Sequence, residues 1–516
     1  MLRLAAGTYL SRSLGRHLIR RSALASAHPG RGMSGDARAA ARAAPDAGGG
    51  TVSAPAGSAP VRLRIYRSGG GGALARITLC REKVLNALDA EAVEAVRRHM
   101  LDCASGQHAG VAAVVLDSST PRAFCAGGDV KSARAAVLAA PYEGVPPSGH
   151  HIHRVFQAEY SLVVLASELS AALPVVALCD GIWMGLGFGI AGFCRHRVVT
   201  EGTVFAMPEN MIGLWPDVGF AWRAARLASP AVGLYLALTG ARVASASDLL
   251  WLGIGTHYCA SANLPRLLES LEASPAAADA AVARCCVPAA AAGGEGGAGG
   301  GALAPGPLRR QRALLERCFA PLLEEAAGGG GGQAAALLRL VARLEVELAT
   351  CSGGGGSDGG GGEEAAALLR AALDALASTS PGSQAITLRH YAAAATAAAA
   401  AEAAPAPASA SGLGAPPGGG GFGGGGARAP LAVLRAVMQE EYRIAVRRAA
   451  QPDFLEGVRA LLVDKDRAPR WAPRDLGSVD ASEAAGLAAP LPAGAAGLDL
   501  REVDAAVAAA AAAASM

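Results

Sequence analysis

Glycine decides where this chain can pack. Of 516 residues 68 are glycine, and many fall with Ala and Pro into tracts at residues 287–307, 326–333, 352–363 and 392–427. Such tracts lack side chains able to offset the entropy of ordering, so they are expected to be disordered or loosely helical. The folding part is therefore shorter than the chain. Amphipathic pieces lie between the tracts, around 308–325, 334–350 and 364–377. The stretch 429–475 returns to ordinary composition, with helical patterns in LAVLRAVMQEEYRIAVRR and FLEGVRALL.

Upstream of the tracts the pattern differs. Residues 36–60 are Ala/Gly/Pro-rich and read as a linker. Residues 61–67 alternate in polarity and 74–79 follow after Gly69–Gly72, which predicts a hairpin. Asp89 is placed to cap a helix running to about Cys103. The runs 110–117 and 174–179 read as buried strands, with a helix over 152–172 between them. Helix and strand alternate onward to about Tyr258, which predicts a mostly parallel α/β core.

Charge excludes one class of partner. The formal net charge is +3, but residues 1–35 hold six arginines and no acidic residue, leaving −3 for the remainder. No phosphate-backbone partner is expected from that balance. In the leader, Arg12, Arg16 and Arg20 recur every four residues, and Leu10, Leu14 and Leu18 do so about 200° around a helix. An amphipathic, Arg-rich, acid-free leader predicts a transit peptide over 1–35 and a mitochondrial location, with a plastid or a plain basic tail as alternatives. No membrane span is expected, because the most apolar stretch, 173–194, contains Asp180, Pro174 and five glycines. Ten cysteines without a CxxC pair suit a reducing compartment.

Three segments put glycine where backbone must approach a ligand: Phe124–Asp129 (FCAGGD), Asp180–Gly189 (DGIWMGLGFG), and Phe205–Glu209 (FAMPE) followed by Gly213–Asp217 (GLWPD). Two glycine-rich turns after two strands can aim two N–H groups at one oxygen, an oxyanion hole. Glu209 and Asp217, eight residues apart, can supply acid–base or nucleophilic chemistry beside it. Spacing alone equally permits ordinary turns and ordinary caps.

The set FCAGGDVK, GIWMGLGFG, FAMPENMIGLWPDVGF and GVRALLVDKDRAPRW resembles the crotonase (enoyl-CoA hydratase/isomerase) superfamily. TSPGSQAITLR, QEEYRIA and PRWAP are similar to the 3-hydroxyisobutyryl-CoA hydrolases within it. The resemblance covers roughly 61–262, then 378–391 and 436–476. It implies an α/β fold, a crotonase-type spiral of ββα units with a helical C-terminal region. The implied organisation is a catalytic domain over 61–262, helical segments broken by inserts over 263–428, a helical region over 429–476 and an Ala-rich tail over 477–516. It also implies oxyanion-hole N–H groups from Gly128 and Leu186, catalytic carboxylates in Glu209 and Asp217, and a substrate-contacting Glu159. The family pattern Met-Gly-Gly-Gly is broken here by Leu186, a change that keeps the backbone N–H. The second glutamate of the superfamily's hydratases falls at Gly189, which argues for thioester hydrolysis instead of hydration. The implied reaction is hydrolysis of 3-hydroxyisobutyryl-CoA in valine breakdown, with an acyl-CoA substrate and no metal or redox cofactor. The alternative is a crotonase-like, non-catalytic component of a mitochondrial assembly such as the ribosome. The sequence sets no oligomeric state.

Other motifs carry less. Gly187–Gly192 spells GxGxxG, but seven residues separate it from the strand ending at Cys179, unlike a dinucleotide turn. Cys125 reads as a small core residue. His150, His151 and His153 read as a solvated loop, without metal-ligand spacing. Arg447, Arg448, Lys465 and Arg467 form either a solvated face or contacts for a CoA phosphate.

Overall fold

The computed structural model describes residues 51–52, 59–69, 72–292, 303–327, 332–353, 361–403, 428–480 and 482–514. The expected transit peptide lies outside the described residues, as do most of the expected linker and the stretch 404–427.

Strands β1 (Thr51–Val52), β2 (Val61–Arg67) and β3 (Ala73–Leu79) open the main sheet, with β2 and β3 forming the expected antiparallel hairpin. The helix Ala90–Ala104 follows, and its cap is as read: the Asp89 side chain accepts the Ala92 N–H. A unit then repeats three times. Each repeat gives one long strand to the main sheet, one three-residue strand to a second sheet, and then a helical turn. The long strands are β4 (Val111–Ser118), β6 (Val175–Cys179) and β8 (His196–Val199); the short ones are β5 (Ala123–Cys125), β7 (Ile182–Met184) and β9 (Val204–Ala206). The helical turns are Val130–Ala139, Leu186–Ala191 and the 3-10 turn Glu209–Ile212.

The main sheet runs β1-β2-β3-β4-β6-β8-β10-β11, closed by β10 (His257–Tyr258) and β11 (Val287–Pro288); the second runs β5-β7-β9, all parallel. Parallel pairing on either side buries the central strands β4 and β6 on both faces, which explains their apolar runs. Aromatic side chains are only 4% of the sequence, yet Trp183, Phe188, Phe205 and Phe220 cluster at the small sheet, three of their contacts edge to face and two stacked or tilted, with ring centroids 5.4–6.1 Å apart. They fix the level at which its three strands end.

The C-terminal half is helical. Arg312–Ala327, Gly332–Gly353 and Gly361–Ser378 occupy the three amphipathic pieces. The tract starting at 392 does not begin as irregular chain. Residues 392–403 continue the helix Pro381–Ala403 and bury Ala394 and Ala398, because an alanine run has the highest helix propensity and small side chains suit close packing. The helix Arg428–Arg448 and the seven-residue helix Pro452–Val458 follow. Within the Ala-rich end, the helix Arg501–Ala514 buries Val503 and Ala506 in the main core, and Glu502 and Asp504 pair with Arg97 and Arg435. No helix among the described residues is long and apolar enough to cross a membrane.

Candidate active site

The three strands of the small sheet are parallel, so they stop at one end of the sheet. Gly128 lies three residues beyond Cys125, Leu186 two beyond Met184, and Glu209 three beyond Ala206. Successive repeats thus deliver two backbone amides and one carboxylate to neighbouring positions, at the carboxyl ends of parallel strands where such sheets bind ligands.

The approach is tight. Gly185 has φ +50°, and a Cβ built on it would lie 2.7 Å from Glu209 Oε1 and 3.6 Å from Gly127 Cα. Only glycine fits there. A Cβ on Gly127 would lie 3.9 Å from the Leu186 nitrogen, and one on Gly128 would lie 3.5 Å from Glu159 Oε1. Leu88 N–H is taken by Gly127 C=O and Asp129 N–H by Leu88 C=O. Neither the Gly128 nor the Leu186 N–H donates to a protein acceptor among the described residues. Leu186 opens a helix, so its N–H is one of the donors that a helix leaves unpaired.

Three carboxylates are buried beside these amides: Glu159, Glu209 and Asp217, none more than 8% exposed. Burial pushes Glu209 well above the usual carboxylate range, and Asp217 adds to the rise. Glu159 is raised in the same way. Asp217 rises to about 7, through burial and the charge of Glu441, against the Tyr160 hydroxyl that donates to its Oδ2 at 2.6 Å. The set therefore shares protons at neutral pH instead of carrying three full charges. Glu209 Oε2 and Trp215 Nε1 are buried without a protein partner among the described residues. Other buried polar atoms of the fold share that status, but Glu209 Oε2 is the one that belongs to a carboxylate reaching the Gly185–Leu186 turn.

The structure brings all five sequence-selected positions together: Gly128, Glu159, Leu186, Glu209 and Asp217. Sequence reasoning missed Tyr160, His390 and Glu441, which stand behind Asp217. Glu441 is fully buried on the 428–448 helix, on the same face as Met438, Tyr442 and Ala445. A carboxylate on an apolar helix face was the available signal.

Several secondary readings change. Arg448 is neither solvent-facing nor free for a phosphate: it is 1% exposed, pairs with Asp453 at 3.2 Å, and donates to Gly213 C=O at 2.7 Å. Arg447 binds the carbonyls of Leu487, Ala489 and Pro490. His150 is the cap of the helix His151–Ala172, its Nδ1 accepting the Ile152 N–H, and His153 bonds the Tyr442 hydroxyl; neither is plain solvated loop. Cys125 is buried and its thiol is pushed up to about 12 by burial, so it is the core residue expected.

The sequence profile of the enoyl-CoA hydratase/isomerase family matches residues 74–404 and 427–487. The chain is 39% identical over 207 residues to the mitochondrial 3-hydroxyisobutyryl-CoA hydrolase of Gallus gallus, covering 40% of this chain and 49% of that protein. It is 30% identical over 408 residues to 3-hydroxyisobutyryl-CoA hydrolase 1 of Arabidopsis thaliana, covering 78% and 85%. It is also 39% identical over 194 residues to the small ribosomal subunit protein mS47 of Neurospora crassa, covering 38% and 36%. The matched stretch thus spans about half of the Gallus gallus relative and about a third of the Neurospora crassa one. Among solved structures, an enoyl-CoA hydratase from Rhodobacter sphaeroides 2.4.1 aligns with TM-score 0.58 and 28% identity, over 84% of this chain and 98% of that one.

Proposed function

The chain belongs to the enoyl-CoA hydratase/isomerase family, and from that premise we propose that it hydrolyses an acyl-CoA thioester, with 3-hydroxyisobutyryl-CoA as substrate. The observation that carries this is the convergence of the Gly127–Gly128 and Gly185–Leu186 turns beside an unpartnered, buried Glu209 Oε2.

In this reading the thioester oxygen accepts the Gly128 and Leu186 N–H groups. Each such donor is worth on the order of 10²–10³ in rate, because it meets charge that develops only in the transition state. Glu209, in its ionised form, works on the carbonyl carbon, by activating water or by forming a mixed anhydride that water then opens. The C–S bond breaks and the thiolate leaves as CoA. Asp217 exchanges the proton, and its position near about 7 suits that task. Glu159, against Gly128, meets the acyl group's hydroxyl. Single turnover in ¹⁸O-water tests the routes: label found in Glu209 requires an anhydride opened at the Glu209 carboxyl carbon, whereas activated water, like an anhydride opened at the acyl carbon, sends all of it to the released acid.

Hydration is disfavoured by space. A Cβ at Gly189 would lie 2.9 Å from Val218 Cβ and 3.3 Å from Leu186 Cδ1. The hydratases' second carboxylate therefore has no room at that position. A mitochondrial setting is supported by the relatives named mitochondrial and by the Arg-rich residues 1–35, and valine breakdown is the route in which we place this substrate.

A second reading, a structural part of a mitochondrial assembly, is supported by the similarity to mS47. Against it stands physical cost: three buried carboxylates destabilise a fold that has no use for them. Purified protein assayed for CoA release, with Glu209→Gln as control, decides. Turnover lost in the variant supports the hydrolase. No turnover by the wild type, together with co-sedimentation in a large particle, sinks it.

A further inference from the structure

Between Asp217 and the helix Phe220–Ala224 the backbone makes a turn that its sequence resists. Val218 has φ +50° and Gly219 φ +77°. Glycine adopts that region freely, but a β-branched residue does not, so Val218 must be held there. What holds it comes from two helices more than 160 residues further along the chain. The Glu441 carboxylate accepts the Gly219 N–H, at 3.0 Å to Oε2 and 3.3 Å to Oε1. His390 Nε2 lies 2.8 Å from Glu441 Oε1, and its Nδ1 lies 3.5 Å from Glu440 Oε1, which Arg389 Nη1 also reaches at 2.8 Å. Glu441 and His390 are nearly devoid of solvent. Phe193 and Leu434 close over Gly219, where a Cβ would come within 2.6 Å of the Phe193 ring.

We propose that Glu441, braced by His390, is a positioning residue for Asp217, clamping the left-handed Val218–Gly219 turn that aims its carboxyl at the site. Burial raises the Glu441 carboxyl, and the hydrogen bond and charge of His390 work against that rise, so His390 supplies the cation the clamp needs. Burial works to lower the imidazole, but the hydrogen bonds to Glu440 and Glu441 outweigh it and raise it to about 9, so it is charged at neutral pH. Glu440 falls to about 2 through its bond to His390. The charge of Glu441 has a second effect, because it disfavours the ionised form of Asp217 while the His390 charge favours it. The other groups facing Asp217 are Tyr160, which donates to it, and Glu159 and Glu209, whose charges oppose its own. The clamp therefore governs both where Asp217 points and when it releases its proton.

This rests on the hydrolase reading only for its kinetic readout. The test pairs Glu441→Gln, which keeps an acceptor for the Gly219 N–H but drops the charge, with ¹³C-carboxyl NMR titration of Asp217, assigned through Asp217→Asn. Glu441→Gln is expected to lower the Asp217 midpoint by roughly one pH unit, a tenfold change in proton affinity. The acid limb of kcat/KM should move with it while KM stays within about twofold. A folded variant with an unmoved midpoint overturns the proposal. If the wild type shows no turnover but the midpoint shifts, the clamp stands and the hydrolase reading falls. If the wild type turns over and the midpoint does not shift, the reverse holds. Should Glu441→Gln not fold, Glu441→Asp withdraws the oxygen by one methylene and keeps the charge. It should cut kcat about tenfold with the acid limb unmoved, the scale of one lost bond to a charged group; an unchanged kcat counts against the clamp.

Discussion

The sheet half of the molecule, from Val61 to about Tyr258, carries every group placed at the site, while the helical half beyond residue 303 carries none that touches it. Yet the helical half reaches in behind the site at several points: through Glu441 to Gly219, through Arg448 to Gly213, and through Ser380 and Thr387 to Asn210. The first half offers groups that are costly where they sit: unpaired amides and buried carboxylates. The second half fixes the loop between Glu209 and Asp217 so that those groups stay put. Reactivity and restraint are thus held by different parts of one chain, and substitutions should separate them.

The sharpest separation comes from Glu209→Gln. It should lower kcat by about 10²–10⁴-fold, the range for loss of an acid–base group, without lowering stability. A steady-state assay of CoA release alongside urea unfolding reads both; a large loss of stability would blur the two halves. Arg448→Ala is the converse. It leaves Asp453 buried and uncompensated and should cost about 3–5 kcal/mol in urea unfolding. A loss below 1 kcal/mol would mean that the helical half restrains less than its contacts imply.

Asp217→Asn tests both halves through pH. The folded-state value of Asp217, about 7, lies above its unfolded value. Its contribution to stability is therefore fully present below the unfolded value and is lost as pH rises through about 7. Wild-type stability should decline over that window and the variant's should decline less, by a few kcal/mol at most. Thermal melts from pH 5 to pH 8 measure this, and identical slopes would contradict the buried-acid picture. The smallest effect is expected from halving the Gly/Pro tract at 404–427. Closure entropy changes by only ~0.6 kcal/mol for each twofold change in loop length, so activity and melting temperature should hardly move.

Much of the sheet half was legible from sequence because its signals are local. The hairpin follows from alternation, the first long helix from Asp89, and the strands from β-branched runs; the site glycines announce themselves by lying just past those strands. The clamp was not legible. Glu441 and Gly219 are 222 residues apart, and no spacing rule links them. Arg448 reads as a surface cation until the helix is seen to turn that face inward. For 392–403 the sequence left disorder and loose helix both open, because alanine runs look alike whether packed or loose, and only the partner surface decides.

The threefold repeat of long strand, short strand and turn has a consequence for how such a protein can be altered. Each repeat ends in one short exit, and each exit presents one group to the same spot. Retooling the chemistry therefore calls for edits at these exits and at the Glu159 and Asp217 positions outside them, with both sheets left alone. A scaffold so divided keeps most of its reacting groups apart from the strands that make it fold.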